Sequence, residues 1–406
     1  MSDEIEKLII DKRNQLAKEI YDFIGTQKKE IYSELYRQLD GLNDNWVKYI
    51  VFQIENHIKK CEYRQRQEKE YKYIKEFFDC SFKSNNSRII VLGIPEHGNI
   101  GDQAIVCGEE TFLRKNFPET SSIYISWRML EENIDYLKSK IDKNDIIAIQ
   151  GGGFLGSLWE NEQKYANFSL ELFKENAIII FPQTFWVEEK ENKKDKTVEE
   201  FRKLLKECDR VCVCLRERGS LQRFEKYYPT IPTMLIPDMA FCNDVDIESN
   251  KNNEILLCFR NDKEKVDRNI EYIKTKISEK KYNIKEVSTV CEDTIPYPLG
   301  EKYLWKKLKE FSEARLVITD RLHGMIFSAL VGTPCIAFDN LSGKVFGVYS
   351  YLKLNENIRL VSDEDNFNEC FDDMLNKQVN KVVLDDGYFQ NLKSFLEKNI
   401  HQTKAY

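Results

Sequence analysis

The chain has 406 residues, 42% of them hydrophobic and 32% charged, with a formal net charge of −7 at neutral pH. That length is ample for two to three domains with sizeable cores. The acidic balance offers no basic excess for nucleic acid and no polybasic patch for a membrane surface. The opening MSDEIEKLII lacks the basic-then-apolar pattern of a signal peptide, and the longest apolar runs are too short to span a bilayer. The 11 cysteines are scattered. Cys212, Cys214, Cys258 and Cys335 sit in strand-like runs, as buried free thiols of a reducing cytoplasm would, and an odd count argues against a complete disulfide framework. Without a CxxC pair, and with only 4 histidines, no metal site is expected.

Residues 1–84 read as a helical N-terminal extension. They contain no proline, and Ile5, Leu8, Ile9, Leu16, Ile20 and Ile24 recur at helical spacing. Tyr49, Ile50, Ile54 and Ile58 repeat the pattern after a break at Gly41-Leu42-Asn43-Asp44. The polar run KSNNS at 83–87 marks a boundary. A βα series then fills residues 85–245. RIIVLGI (88–94), SIYIS (122–126), DIIAIQ (145–150), AIIIF (177–181), RVCVCL (210–215) and TMLI (233–236) read as strands, and helical patterns stand between most of them. DVDIESNKNNE (244–254) reads as a linker. A second series fills residues 246–406: EILLCF and YNIKEVSTV as strands, EKYLWKKLKEFSE as a helix, ARLVIT as a buried strand, GMIFSALVG as a short helix stopped by Gly332 and Pro334, then PCIAF, IRLV and two C-terminal amphipathic helices. Strands alternating with helices imply parallel sheets with right-handed crossovers. The fold class expected is α/β, with two Rossmann-like domains facing one cleft.

The candidate chemistry gathers at strand-to-helix turns, where open α/β sheets bind ligands. Asp320-Arg321-Leu322-His323-Gly324 is such a turn. A helix N-terminus there offers free N–H groups to an anion. Arg321 adds a planar fork for a carboxylate or phosphate, and His323 can move a proton near neutral pH. An Arg321–Asp320 pair and a packed His323 are the bland alternative. His97-Gly98-Asn99-Ile100-Gly101-Asp102 follows the first strand. Its glycines allow tight turning and close approach of a ligand, and the bland reading has Asp102 capping the next helix. Gly151, Gly152 and Gly153 close another strand, where backbone exposed to a ligand is the expected reason for three glycines. Arg216 ends RVCVCL and Lys344 follows PCIAF at the same edge. Their default readings are a surface ion pair with Glu217 and a solvated lysine. Together these loops suit a small, doubly charged anion.

HGNIGDQA, the triple glycine, Arg216-Glu217-x-x-Ser220, Pro237-Asp238, and DRLHG followed by GTPCIAFDN resemble the polysaccharide pyruvyl transferase family over about residues 88–350. Arg216-Glu217 stands where the family often shows Arg-Asp, a mild departure. The resemblance implies a GT-B-like fold, phosphoenolpyruvate as co-substrate with no further cofactor, and a saccharide acceptor, free or lipid-linked. It also implies Arg216, Arg321 and His323 around the donor. On this basis the catalytic candidates are His323, Arg321, His97 and Asp102, and the donor-binding candidates are Arg216, Arg321, His323, Gly151, Gly152, Gly153 and Lys344. A cytoplasmic protein is expected, with self-association or peripheral attachment at the inner membrane face left open for the N-terminal helices. The competing readings are a GT-B glycosyltransferase using a nucleotide sugar and a non-catalytic partner of an envelope-assembly complex.

Overall fold

The computed structural model describes Phe82 and residues 88–188, 196–248 and 250–402. The expected helices within residues 1–80 lie outside the described residues. Ser81–Tyr406 forms one compact unit built on two parallel sheets.

The first sheet comprises β1 (Arg88–Ile94), β2 (Ser121–Ser126), β3 (Ile146–Ile149), β4 (Gly152–Gly156), β5 (Ala177–Trp186), β6 (Arg210–Leu215) and β7 (Thr233–Leu235). Its order is β2-β1-β3-β5-β6-β7, with β4 also paired to β5. Ile89, Ile90, Val91 and Leu92 are all fully buried. A parallel strand covered on both faces reads as such a continuous apolar run rather than an alternation. The second sheet comprises β8 (Glu254–Cys258), β9 (Asn283–Glu286), β10 (Leu316–Thr319), β11 (Cys335–Phe338) and β12 (Ile358–Val361), in the order β12-β11-β10-β8-β9. The α/β fold with two Rossmann-like halves is therefore as the strand–helix alternation predicts. Of the 11 cysteines, the nine described are free thiols, most of them buried.

Several elements depart from the sequence expectation. The glycine run is not a loop throughout, because Gly152–Gly156 forms β4. The strand expected at 177–181 continues to Trp186, and its Pro182 sits in the register shift between Ile180 and Gln183, where a missing N–H is tolerated. Two short helices, Trp127–Glu132 and Ile134–Lys140, occupy a stretch with no strong periodicity.

The two halves are joined by backbone. The loop after β1 runs beside residues 289–295: Ile100 N–H donates to the Thr289 carbonyl (2.8 Å), Cys291 N–H to Gly98 (2.9 Å) and Ile295 N–H to Glu96 (2.8 Å). A Cβ on Gly98 would stand 2.2 Å from the Cys291 carbonyl oxygen. This glycine is thus required by the approach of the other half's backbone.

Candidate functional site

The turn between β10 and the helix Leu322–Val331 carries the first group. Thr319 Oγ1 donates to the Cys258 carbonyl at 2.7 Å and accepts the Arg321 N–H at 3.0 Å. The helix ends on Gly332 in the left-handed region (φ 76°), the stop its sequence predicts. Asp320 is buried and accepts the Arg260 N–H at 2.8 Å. Its carboxylate is held by the end of β8, so the simple Arg321–Asp320 pair is not what fixes this turn. Burial raises the Asp320 pKa against the bond from Arg260 and the nearby guanidinium groups. Arg321 Nε is buried and meets no hydrogen-bond partner among the described residues.

His323 is the second residue of the same helix and crosses to the first half. Its Nε2 lies 3.6 Å from Asp238 Oδ2, and the side chain is 11% exposed. The same Oδ2 accepts Arg216 Nη1 at 2.7 Å, while Arg216 Nε donates to Thr184 Oγ1 at 2.9 Å. Arg216 is 1% exposed. It is no surface residue, and its principal partner is Asp238 rather than Glu217, whose carboxylate is 3.8 Å away. Burial alone would raise the Asp238 pKa. The adjacent Arg216 and His323 outweigh it, and the carboxyl sits well below its usual range. Asp238 thereby ties an arginine of one half to the histidine of the other.

Glycines set how closely these groups approach. A Cβ on Gly101 would lie 2.1 Å from His323 Nδ1, and one on Gly153 would lie 2.9 Å from Arg216 Nη2 and 3.7 Å from Lys344 Nζ. Gly151 donates its N–H to the buried Glu109 Oε1 at 2.8 Å, so that donor is already engaged. Burial, more than any other influence, pushes the Glu109 carboxyl up. The cap of helix Ile100–Asn116 is Asn99, whose Oδ1 accepts the Gly101 N–H. The expectation that Asp102 caps it is corrected: Asp102 stands in the first turn and accepts Asn99 Nδ2 at 2.7 Å. His97 Nε2 is 3.7 Å from Asp102 Oδ2, with the ring 59% exposed.

Lys344 is likewise not solvated. It is buried, with Nζ 2.9 Å and 2.7 Å from the two carboxylate oxygens of Glu264. Burial pushes the ammonium down, against the pull of Glu264 and with Arg260 and Arg216 adding to the depression. Arg260 reaches Asp262 through Nε (2.8 Å) and Nη2 (3.1 Å), and Glu264 through Nη1 (3.2 Å). This Arg260-Asp262-Glu264 cluster after β8 was missed in the sequence. Its only signal is a run of mixed charges at a strand's carboxyl end.

All nine candidate residues line a single cavity of about 650 Å³ between the halves: His97, Asp102, Gly151, Gly152, Gly153, Arg216, Arg321, His323 and Lys344. Another part of its wall was also missed. There Ser126 and Arg128 bind Glu96, with Ser126 Oγ at 2.9 Å and Arg128 Nε at 2.8 Å, and Trp127, Trp159, Glu162 and Tyr165 complete the wall. The sequence signal available was Ser126-Trp127-Arg128 at the carboxyl end of β2. Among the described residues, no helix is long and apolar enough to cross a membrane.

Two parallel-sheet halves around one cleft make an α/β architecture of the GT-B-like kind. The model of the family described as polysaccharide pyruvyl transferase matches residues 99–342. General stress protein 30 of Bacillus subtilis is 30% identical over 323 residues, covering 77% of this chain and 92% of its own. Pyruvyl transferase 1 of Schizosaccharomyces pombe is 25% identical, covering 66% of this chain and 69% of its own. Among solved structures, a functionally uncharacterized protein of Klebsiella pneumoniae is similar with a TM-score of 0.49 and 20% identity, over 71% of this chain and 98% of that one. The chain belongs to the polysaccharide pyruvyl transferase family.

Proposed function

We propose that this protein moves the pyruvyl group of phosphoenolpyruvate onto a saccharide, forming a ketal. The observation that carries the reading is the Arg321 guanidinium. Its Nε is buried without a hydrogen-bond partner among the described residues, at a helix N-terminus and on the wall of the same cavity as Arg216, His323 and Lys344. A buried unpaired donor on a charged group is costly unless a ligand completes it. A small dianion with a carboxylate and a phosphate suits that cradle.

Arg321 and the free edge of Arg216 hold the two anionic groups of the donor. Protonation of its methylene carbon makes a methyl group and leaves a cationic centre at C2. A sugar hydroxyl adds to C2 and gives up its proton. The C2–O bond to phosphate then breaks, and a second hydroxyl closes the ketal as its proton leaves with phosphate. The two hydroxyl protons thus balance one new C–H bond and one protonated phosphate. His323 is the proton carrier of choice. It stands on the turn that carries Arg321, and Asp238 Oδ2, 3.6 Å from its Nε2, is placed to orient its ring. His97 and Asp102 lie in the acceptor-side half and are suited to the hydroxyl protons. Positive charge from Arg216, Arg321 and the helix N-terminus stabilises the leaving phosphate.

The test is to incubate the protein with phosphoenolpyruvate and a panel of saccharides while following phosphate release and the mass of the saccharide. Acceptor-dependent phosphate with a matching pyruvyl mass gain supports the reading. Release of a nucleoside diphosphate from a nucleotide sugar, with phosphoenolpyruvate inert, favours a glycosyltransferase instead.

A further inference from the structure

Glu109 is a buried carboxyl group that the transfer scheme does not use, yet it is bonded to the wall of the cleft. It stands on the helix Ile100–Asn116 and is 0% exposed. Its Oε1 accepts the Gly151 N–H at 2.8 Å. Its Oε2 is buried and meets no hydrogen-bond partner among the described residues. Burial raises its pKa most, against the bond from Gly151. The charged groups bearing on it are Asp238, which precedes the short turn Met239–Cys242, and Glu110 on its own helix, and both raise the pKa further. Tyr124 on β2 and Cys242, which also face it, are themselves pushed up by burial and bring no positive charge. Glu301, on the neighbouring helix Gly300–Glu313, acts on the adjacent Cys107 and is another carboxylate.

The turn that Glu109 meets is held on both flanks by Gln183 of β5. Gln183 Nε2 donates to the Gln150 carbonyl at 2.8 Å, and Oε1 accepts the Phe154 N–H at 3.2 Å. Between these two bonds, Glu109 holds Gly151. Two residues on stands Gly153, the glycine on which a Cβ would crowd Arg216 and Lys344. A displaced turn therefore presses backbone against both cations. We infer that Glu109 stays an uncharged carboxylic acid in the folded protein and acts as a positioning residue, its Oε1 fixing the glycine turn beside Arg216 and Lys344 without adding a negative charge to the wall of an anion site. A fully buried carboxyl with one hydrogen bond and only carboxylates bearing on it is far more stable neutral than charged. Asp238 is the contrast. It is equally buried, but Arg216 and His323 hold it ionised. Unlike surroundings thus separate two buried carboxyls into one charged and one neutral. The charge state of Glu109 is independent of the reaction, whereas its effect on the donor rests on the pyruvyl transfer reading.

Two measurements test the inference, on wild type, Glu109→Gln and Glu109→Leu. The first is denaturant unfolding of wild type and Glu109→Gln as a function of pH. Glutamine keeps a carbonyl acceptor for Gly151 and cannot ionise. A Glu109 that is neutral when folded binds a proton that the unfolded chain releases above the ordinary glutamate value of about 4.3. Wild type should therefore lose stability relative to Glu109→Gln as pH rises, its unfolding equilibrium shifting by about tenfold per pH unit between about pH 5 and 7. Parallel profiles mean that Glu109 is ionised in the fold and overturn the inference. The second measurement is phosphoenolpyruvate affinity by calorimetry near neutral pH. Glu109→Leu, which is neutral but offers no acceptor, should weaken the donor about tenfold, while Glu109→Gln should stay within about threefold of wild type. A merely structural role lowers the stability of Glu109→Leu and leaves its affinity unchanged, so unchanged affinity in the folded variant overturns the positioning role. A tenfold loss in folded Glu109→Gln overturns it as well, and this comparison decides the matter where Glu109→Leu does not fold. A wild type that binds no phosphoenolpyruvate sinks the transfer reading instead, and the unfolding profiles still report the charge of Glu109.

Discussion

Gly101→Ala separates the geometry of the site from the stability of the fold. Gly101 is the second residue of the helix Ile100–Asn116, with no left-handed backbone requirement, so alanine is locally favourable by up to about 1 kcal/mol. Its Cβ, however, would stand 2.1 Å from His323 Nδ1. That falls about 1.3 Å short of ordinary van der Waals contact, so the imidazole must move away from its present position beside Asp238. Misplacement of a reacting group by about 1 Å costs on the order of a hundredfold in rate. Gly101→Ala should therefore keep its Tm within about 4 °C of wild type and lose turnover by about a hundredfold. Gly98→Ala makes the contrast. Its Cβ meets the Cys291 carbonyl oxygen at 2.2 Å, where backbone must move, so it should lose about 1–3 kcal/mol of stability. The assays are thermal unfolding and acceptor-dependent phosphate release on both variants. Wild-type turnover in Gly101→Ala would refute the assignment of a positioned His323.

Arg321→Lys keeps the charge but not the fork, and should lower kcat/KM by about a hundredfold with little change in Tm; turnover like wild type would make Arg321 structural. His323→Gln should lose about 10²- to 10⁴-fold in kcat with donor affinity largely retained, measured by phosphate release beside donor titration. Asp238→Asn leaves Arg216 buried without its counter-charge, and should cost about 3–5 kcal/mol in denaturant unfolding near pH 7. The folded-state pKa of Asp238 is depressed, so this contribution is present above the ordinary carboxylate pKa of about 4 and is lost as pH falls through the folded value. Wild type and Asp238→Asn should accordingly converge in stability under acid, and a gap that stays constant down to the acid transition contradicts the pairing.

The strand–helix alternation was readable because both sheets are parallel and buried on both faces, which leaves near-continuous apolar runs such as Ile89–Leu92. Asp320–Gly324 and the triple glycine were readable because turn chemistry is local. What distant residues require of a position was not readable. Gly98 and Gly101 look like a ligand loop, yet each is small because the other half, through Cys291 and His323, packs against it. Arg216 looks like a surface arginine until Asp238, 22 residues on, folds beside it. Lys344 looks solvated until Glu264, 80 residues earlier, is placed under its ammonium. Trp127, Trp159 and Tyr165 carry no motif, because an aromatic wall is assembled from a strand end, a loop and a helix whose spacing follows from the topology.

Binding of phosphoenolpyruvate on Arg321 and Arg216 is open to direct measurement. Calorimetric titration of the wild type and Arg321→Lys with phosphoenolpyruvate, and of the wild type with a nucleotide sugar, tests it most directly. Saturable phosphoenolpyruvate binding to the wild type is expected, stabilising the fold by about 2.7 kcal/mol at a hundredfold excess over Kd, with affinity weakened about tenfold or more in Arg321→Lys. No binding of phosphoenolpyruvate at millimolar concentration, beside clear binding of the nucleotide sugar, would contradict it.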